Sequence, residues 1–198
     1  MPKPYIHFSR EEFSQRQQKT REQLQKLELD GLLLFKIEDM YWLTGYESDG
    51  FCIFGCMFIG TEGVLTHLAR PADLANLSYS SICGDVRISP DTEDSSRAEH
   101  IKDMLRSLGM EGKKIGIQVD TMGLTPRLFL EINEILDGWC DLTVAPDFIR
   151  LLRLVKSPQE LSYFRKAGEV MDIVMDKVIE ATYPGAFEGD IYATFYDT

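Results

Sequence analysis

Histidine and cysteine are scarce here, three and four in a chain of 198 residues. The cysteines, Cys52, Cys56, Cys83 and Cys140, are too few for a disulfide scaffold, so reduced thiols are expected. Cys52 and Cys56 fall in a run that reads as a strand. Four residues of strand span ~13 Å, too far for two sulfurs to share a zinc ion at ~2.3 Å each, so both are expected as buried apolar thiols. His7, His67 and His100 lie in different elements, without a His-x3-His or Glu-x2-His spacing, and each is expected in an ordinary surface or hairpin role. The chain is therefore expected to hold no metal site and no catalytic residue of its own. A Gly-x-Ser-x-Gly elbow, a phosphate loop and a dinucleotide fingerprint are all missing, which excludes the chemistries those motifs carry.

Long apolar runs are also lacking. Gly31 to Phe35 and Phe51 to Ile59 fall well short of the ~20 residues a bilayer helix needs, and the start MPKPYIHFSREEF has no basic-then-apolar signal pattern. No membrane partner and a cytoplasmic location are expected. Positive charge is in deficit: 21 Lys and Arg against 32 Asp and Glu leave a net charge of -11. With no basic cluster to track a phosphate backbone, nucleic acid is not expected as a partner. The acidic stretch Asp91-Thr-Glu93-Asp94 lacks the alternation and glycine of a calcium loop and reads as a solvated loop.

What is present is ordinary globular material, 44% hydrophobic, in an α/β order. Ser9-Arg-Glu-Glu12 is a capping-box pattern that opens a helix to about Leu29, with Phe13, Leu24 and Leu27 as its apolar anchors. Leu32 to Phe35 reads as a strand covered on both faces. IEDMYWLT follows as a short helix stopped by Gly45. After a polar loop ending at Gly50, Phe51 to Ile59 reads as a strand, turned at Thr61-Glu-Gly63 into VLTHL as a hairpin. Pro71 starts a helix to about Tyr79. Asp85 to Ile88, Lys114 to Val119 and Leu142 to Ala145 read as strands, and Ser95 to Leu108 and Pro126 to Leu136 as helices. The result is a mixed sheet flanked by helices. Near residue 150 the texture changes. Ser157-Pro-Gln-Glu160 is a second capping box with Pro at the first helical position, opening a helix to about Thr182. Leu161, Phe164, Ala167, Met171, Val174 and Val178 line its apolar face. Tyr183-Pro184-Gly185 stops it, and another element begins at Glu188. We expect two domains, residues 1–150 and 151–198, the second incomplete, with its apolar face driving self-association.

Three stretches together resemble the creatinase/prolidase, or "pita-bread", metallopeptidase family. DMYWLTGYESDGF is similar to that family's Asn-x-x-Tyr-Leu-Thr-Gly-Phe turn, with Asp39 where Asn is common and able to make the same local turn bond. Arg153-Leu-Val-Lys156-Ser157-Pro158-Gln-Glu160-Leu161, with Arg165 and Ala167 following, resembles the junction entering the catalytic domain. Pro184-Gly185-Ala-Phe-Glu188 is similar to the loop between that domain's first two helices.

The resemblance implies a creatinase/prolidase-type N-terminal domain used for oligomer contacts and for shaping the substrate entrance. It is followed by the truncated start of an α+β pita-bread domain. The parent enzyme would be a metal-dependent hydrolase of the Xaa-Pro peptidase type, a homodimer acting on a peptide or small-molecule substrate. Its two divalent ions (Mn, Co or Zn) would be held by two Asp, one His and two Glu outside these residues, so this segment alone would be inactive. An ectoine-type or other C–N hydrolase of the same fold is the alternative parent, with Trp42 leaning toward the ectoine type. A metal-free binding module is the other, for which the acidic balance is compatible with histones. Creatinases carry an Arg two residues after the loop Phe. Here Ile53 stands there, which argues against a creatine-like substrate. The loop from Gly45 to Phe51 would face a neighbouring subunit's active site, with Glu47 or Asp49 meeting a cationic group and Tyr46 and Phe51 bracketing the carboxylates. A purely structural loop with its aromatics packed on the sheet stands beside that reading.

Overall fold

Leu32, Leu33 and Leu34 are consecutive, and strand geometry sends them to opposite faces. Leu32 and Leu34 join one apolar cluster and Leu33 another, and all three are fully buried. That split places β1 in a sheet with helices on both faces. The computed structural model describes residues 4–63 and 65–198. It has a six-stranded sheet of order β4-β3-β2-β1-β5-β6, where β1 is Gly31–Leu34, β2 Cys56–Gly60, β3 Thr66–Ala69, β4 Asp85–Ile88, β5 Lys114–Ile117 and β6 Asp141–Val144. The pairs β1/β2 and β2/β3 are antiparallel. The pairs β3/β4, β1/β5 and β5/β6 are parallel.

One face is covered by α1 (Arg10–Lys26), α2 (Ile37–Thr44), α3 (Leu74–Ser80) and α6 (Phe148–Leu152), through Leu24, Met40, Leu43, Leu77, Phe148 and Ile149. The other is covered by α4 (Arg97–Ser107) and α5 (Pro126–Leu136), through Ile101, Met104, Leu105, Leu128 and Ile132. Each such side chain removed from water contributes roughly 1.5–3 kcal/mol, so burial on both faces is the main term holding this layer structure. The mixed sheet flanked by helices is the architecture expected from the chain order.

Several expectations need correction. The second strand begins at Cys56 rather than Phe51, because Gly50 and Gly55 leave residues 51–55 as turns. Cys56 is therefore the buried strand thiol expected, whereas Cys52 sits exposed in the loop. The anchors of α1 are not only apolar: Glu12, Arg16 and Thr20 are buried as well. Arg16 lies over the Phe8 ring at 4.1 Å, bonds Glu12 at 3.1 Å and donates to the Trp42 carbonyl at 3.1 Å. A guanidinium with its hydrogen bonds satisfied and its faces on aromatic rings is tolerated in a core. α6 was not expected, and Val64 of the expected hairpin lies outside the described residues.

One compact unit ends at Leu154, and a second runs Val155–Thr198. The second contains α7 (Pro158–Ala181) and α8 (Glu188–Asp197). The capping box at Ser157 and Glu160 forms in both directions, at 3.2 and 2.8 Å. Of the expected apolar face, Val174 is buried, while Leu161, Phe164 and Met171 stay exposed at 40, 60 and 47%. Among the described residues no helix is long and apolar enough to cross a membrane.

Candidate functional site

The helix α2 delivers the loop that the sequence singles out. Gly45 ends it with φ of 79°. A Cβ there would stand 2.8 Å from the Ser80 carbonyl and 3.1 Å from the Phe13 ring, so glycine is required on both counts. The next residues are pinned. Tyr46 N–H donates to Thr44 Oγ1 at 3.3 Å, Glu47 N–H to Ser80 Oγ at 3.0 Å and Gly50 N–H to Ser48 Oγ at 3.1 Å. Backbone bonds from Phe51 to Asp49 and from Ile53 to Gly50, both 3.0 Å, shape the tip.

The four singled-out side chains do not act as one group. Tyr46 is buried, and its ring meets His67 edge-on with centroids 4.8 Å apart at 87°. Its phenol bonds Ser48, and burial raises its pKa. Glu47, Asp49 and Phe51 are exposed, Phe51 at 53%. The loop thus has a rigid aromatic root and a tip presenting two carboxylates and one ring to solvent. A fixed root that presents polar and apolar groups together can bind a small amphipathic or cationic group.

His67 departs from the ordinary role expected of it. It is 1% exposed, and its Nδ1 is buried with no hydrogen-bond partner. Burial pushes its pKa down to about 4, against a smaller opposing pull from Asp73. His7 and His100 are conventionally bonded, to Tyr41 and Ser89.

Asp39 also differs from expectation. Instead of a local turn bond, its fully buried carboxylate accepts from Gln118 Nε2 at 2.6 Å and from Arg153 at 2.7 Å. Gln118 in turn accepts the N–H groups of Phe35 and Lys36 at 3.2 and 3.4 Å. Lys36 and Arg150 hold Asp147 at 2.8 and 2.9 Å. Burial raises the Asp39 pKa, more than Gln118 and Arg153 can offset, and neighbouring Asp147 adds to the rise. For Asp147, burial also pushes upward, but Lys36 and Arg150 outweigh it and the net shift is down. This network fills the space beyond the carboxyl ends of β1, β5 and β6, where open parallel sheets usually take ligands. The Phe35 and Lys36 N–H groups at the end of β1 are taken by Gln118. A signal existed: Asp39 shares the buried face of α2 with Met40 and Leu43, and His67 shares a strand face with the apolar Leu65 and Ala69.

A groove of about 570 Å³ lies elsewhere, between the Pro90–Arg97 segment and the start of α5. The acidic loop lines it, with Asp91 paired to Arg97 at 3.0 Å. Among the described residues no group of three or more His, Cys, Asp or Glu could hold a metal ion.

Residues 16–155 match the family model for the creatinase/prolidase N-terminal domain. The chain belongs to that family. The ectoine hydrolase of Halomonas elongata is 25% identical, covering 96% of this chain and 49% of that protein. An uncharacterised hydrolase/peptidase of Sinorhizobium fredii is 24% identical over 96% of this chain and 50% of its own length. Among solved structures, the Xaa-Pro dipeptidase from Bacillus anthracis superposes with a TM-score of 0.74 at 15% identity, over 92% of this chain and 47% of that one. The prolidase from Thermococcus sibiricus gives 0.74 at 23% identity, over 92 and 48%. Those likenesses show the fold. The chain spans about half the length of the curated relatives it matches.

Proposed function

We propose that this chain is the N-terminal part of a metal-dependent hydrolase of the Xaa-Pro peptidase type, serving oligomer contacts and the shape of the substrate entrance rather than the chemical step. The family match over residues 16–155 carries this reading. Support comes from the loop, where Glu47, Asp49 and Phe51 stand exposed on a root fixed by Tyr46. On this reading the two Mn, Co or Zn ions are held by donors in the parent's catalytic half. In this role the carboxylates attract a cationic end of the substrate and Phe51 walls its apolar part. The working unit is a homodimer in the cytoplasm.

The ectoine hydrolase relative favours a small-molecule C–N hydrolase as the second reading. Trp42 does not decide between the two, because its ring is buried beneath Arg16 and is unable to meet a substrate. The test places Asp49→Ala and Phe51→Ala in a protein carrying these residues together with a catalytic half. Each is expected to raise KM from a few-fold to about a hundredfold, roughly 1–3 kcal/mol, with metal content and folding intact. Comparing an Xaa-Pro dipeptide with ectoine separates the two substrate classes. Unchanged steady-state kinetics in both variants would leave the loop a structural role only.

A further inference from the structure

Both ends of the loop from Gly45 to Gly55 lie beside one side chain. At the near end, the Tyr46 ring stands edge-on to His67. At the far end, a Cβ on Gly55 would lie 3.7 Å from His67 Nε2, an ordinary contact distance, so Gly55 neighbours the imidazole. The ring lies among apolar partners, Met57 opposite it on β2 and Val86 on β4. Three kinds of ionisable group lie near this residue, two of them, Tyr46 and Asp73, acting on the ring. The Tyr46 phenol comes from the loop. The thiol of Cys83, which burial pushes up to about 11, donates to the Leu65 carbonyl. Asp73 lies in the 3₁₀ turn Pro71–Asp73 after β3 and is held by Arg70 through two bonds, at 2.9 and 2.8 Å. Asp73 alone favours a charged imidazole, and it is already paired.

A buried imidazole nitrogen without a partner costs roughly 1–3 kcal/mol, so the arrangement survives on what the neutral ring packs against. We propose that His67 is the positioning residue of this loop, and that taking up a proton there releases Tyr46 and Gly55 and frees the tip. An imidazolium has two N–H donors and a charge that this buried place leaves unsatisfied, so protonation disfavours the packing of Tyr46 and Gly55 beside the ring. The direction follows from linkage. With the loop closed the ring titrates near 4, and once exposed it returns toward 6.5. The closed loop is therefore fully favoured above the higher value and is lost as pH falls toward the lower. On the reading that the tip shapes a substrate entrance, that entrance is ordered at neutral pH and loosens in acid. That consequence rests on the proposed function, whereas the release itself does not.

The experiment uses the intact 198-residue chain. The His67 ring is followed by NMR, with amide exchange at Tyr46, Glu47 and Ile53 and, as a reference, in β1 and β5. His67 is expected to titrate near 4. Loop protection, corrected for intrinsic exchange, is expected to fall about tenfold per pH unit across the window while the sheet amides hold. His67→Phe keeps a packed ring that takes no proton, and its loop protection is expected to stay level. A wild-type His67 midpoint near 6.5 with an unmoved loop would overturn the proposal. So would loop release in His67→Phe over the wild-type range. If that variant does not fold, the wild type decides: coincident ring and loop responses sustain the proposal, and separate ones overturn it. No activity enters this readout, so a failed kinetic test of the loop tip leaves it standing.

Discussion

The chain up to Leu154 and the chain from Val155 form helices of equal regularity, yet they differ in what those helices bury. The first unit closes apolar clusters on both sides of its sheet. In the second, α7 has a complete capping box and Pro in its first turn over 24 residues, but Val174 is its one buried residue, and α8 has none. Helix formation answers to local signals, caps and propensity. Burial needs a second surface, and a stretch of sequence has no way to supply that for itself.

The largest expected effect concerns the apolar side chains that α7 leaves exposed. The chain is expected to self-associate at concentrations on the order of tens of micromolar. Phe164→Asp with Met171→Asp should weaken that association by about a hundredfold or more, since each carboxylate would enter an apolar contact. Sedimentation showing a wild-type monomer, or an assembly indifferent to the double change, would erase the difference between the units as drawn.

The next contrast is between two isoleucines. Ile101 on α4 is fully buried and Ile173 on α7 is 59% exposed. Ile101→Ala is expected to cost about 3–4 kcal/mol through the cavity it leaves, and Ile173→Ala to stay within about 0.5 kcal/mol. Denaturant melts check it, and equal losses would mean that the second unit is as well packed as the first.

The smallest effect sharpens how the first unit handles charge. Arg153→Met strands the buried Asp39 carboxylate and is expected to cost about 2–3 kcal/mol, somewhat less than a fully buried pair because Arg153 remains 32% exposed. Asp39→Asn keeps a hydrogen-bonding partner for Gln118 and lets Arg153 turn to water, for about 1 kcal/mol. The reverse order would show that the pair acts through Arg153 rather than through the buried carboxylate. Asp39 also runs opposite to His67 with pH. Its raised pKa means the folded state takes up that proton first, so acidification adds stability at this site.

Most strands and helices were legible because hydrophobic period, caps and glycine stops act within a few residues. The expected strands 85–88 and 114–119 appear as β4 and as β5, the latter two residues shorter. The singled-out loop was legible for the same reason, bounded by Gly45 and Gly50. Its division of labour was not, since nothing in the order Tyr46-Glu47-Ser48-Asp49-Gly50-Phe51 says that Tyr46 turns inward. That is decided by His67, 21 positions along the chain, which β3 brings beneath it. Asp39 was misread likewise. The local turn bond was the available short-range inference, while its actual partners come from the end of β5 and from Arg153.

By itself, then, the sequence determined most of the elements, the α/β order, the net negative charge and the motif spacing that marks the family, because each depends on neighbours along the chain or on summed composition. Only the tertiary structure decided which polar side chains are buried, which of them are paired, and that one imidazole nitrogen is left without a partner. Those outcomes depend on the distances that sheet order and helix packing create between residues tens of positions apart. A charge or a proton feels what lies within a few ångströms, whatever its separation along the chain.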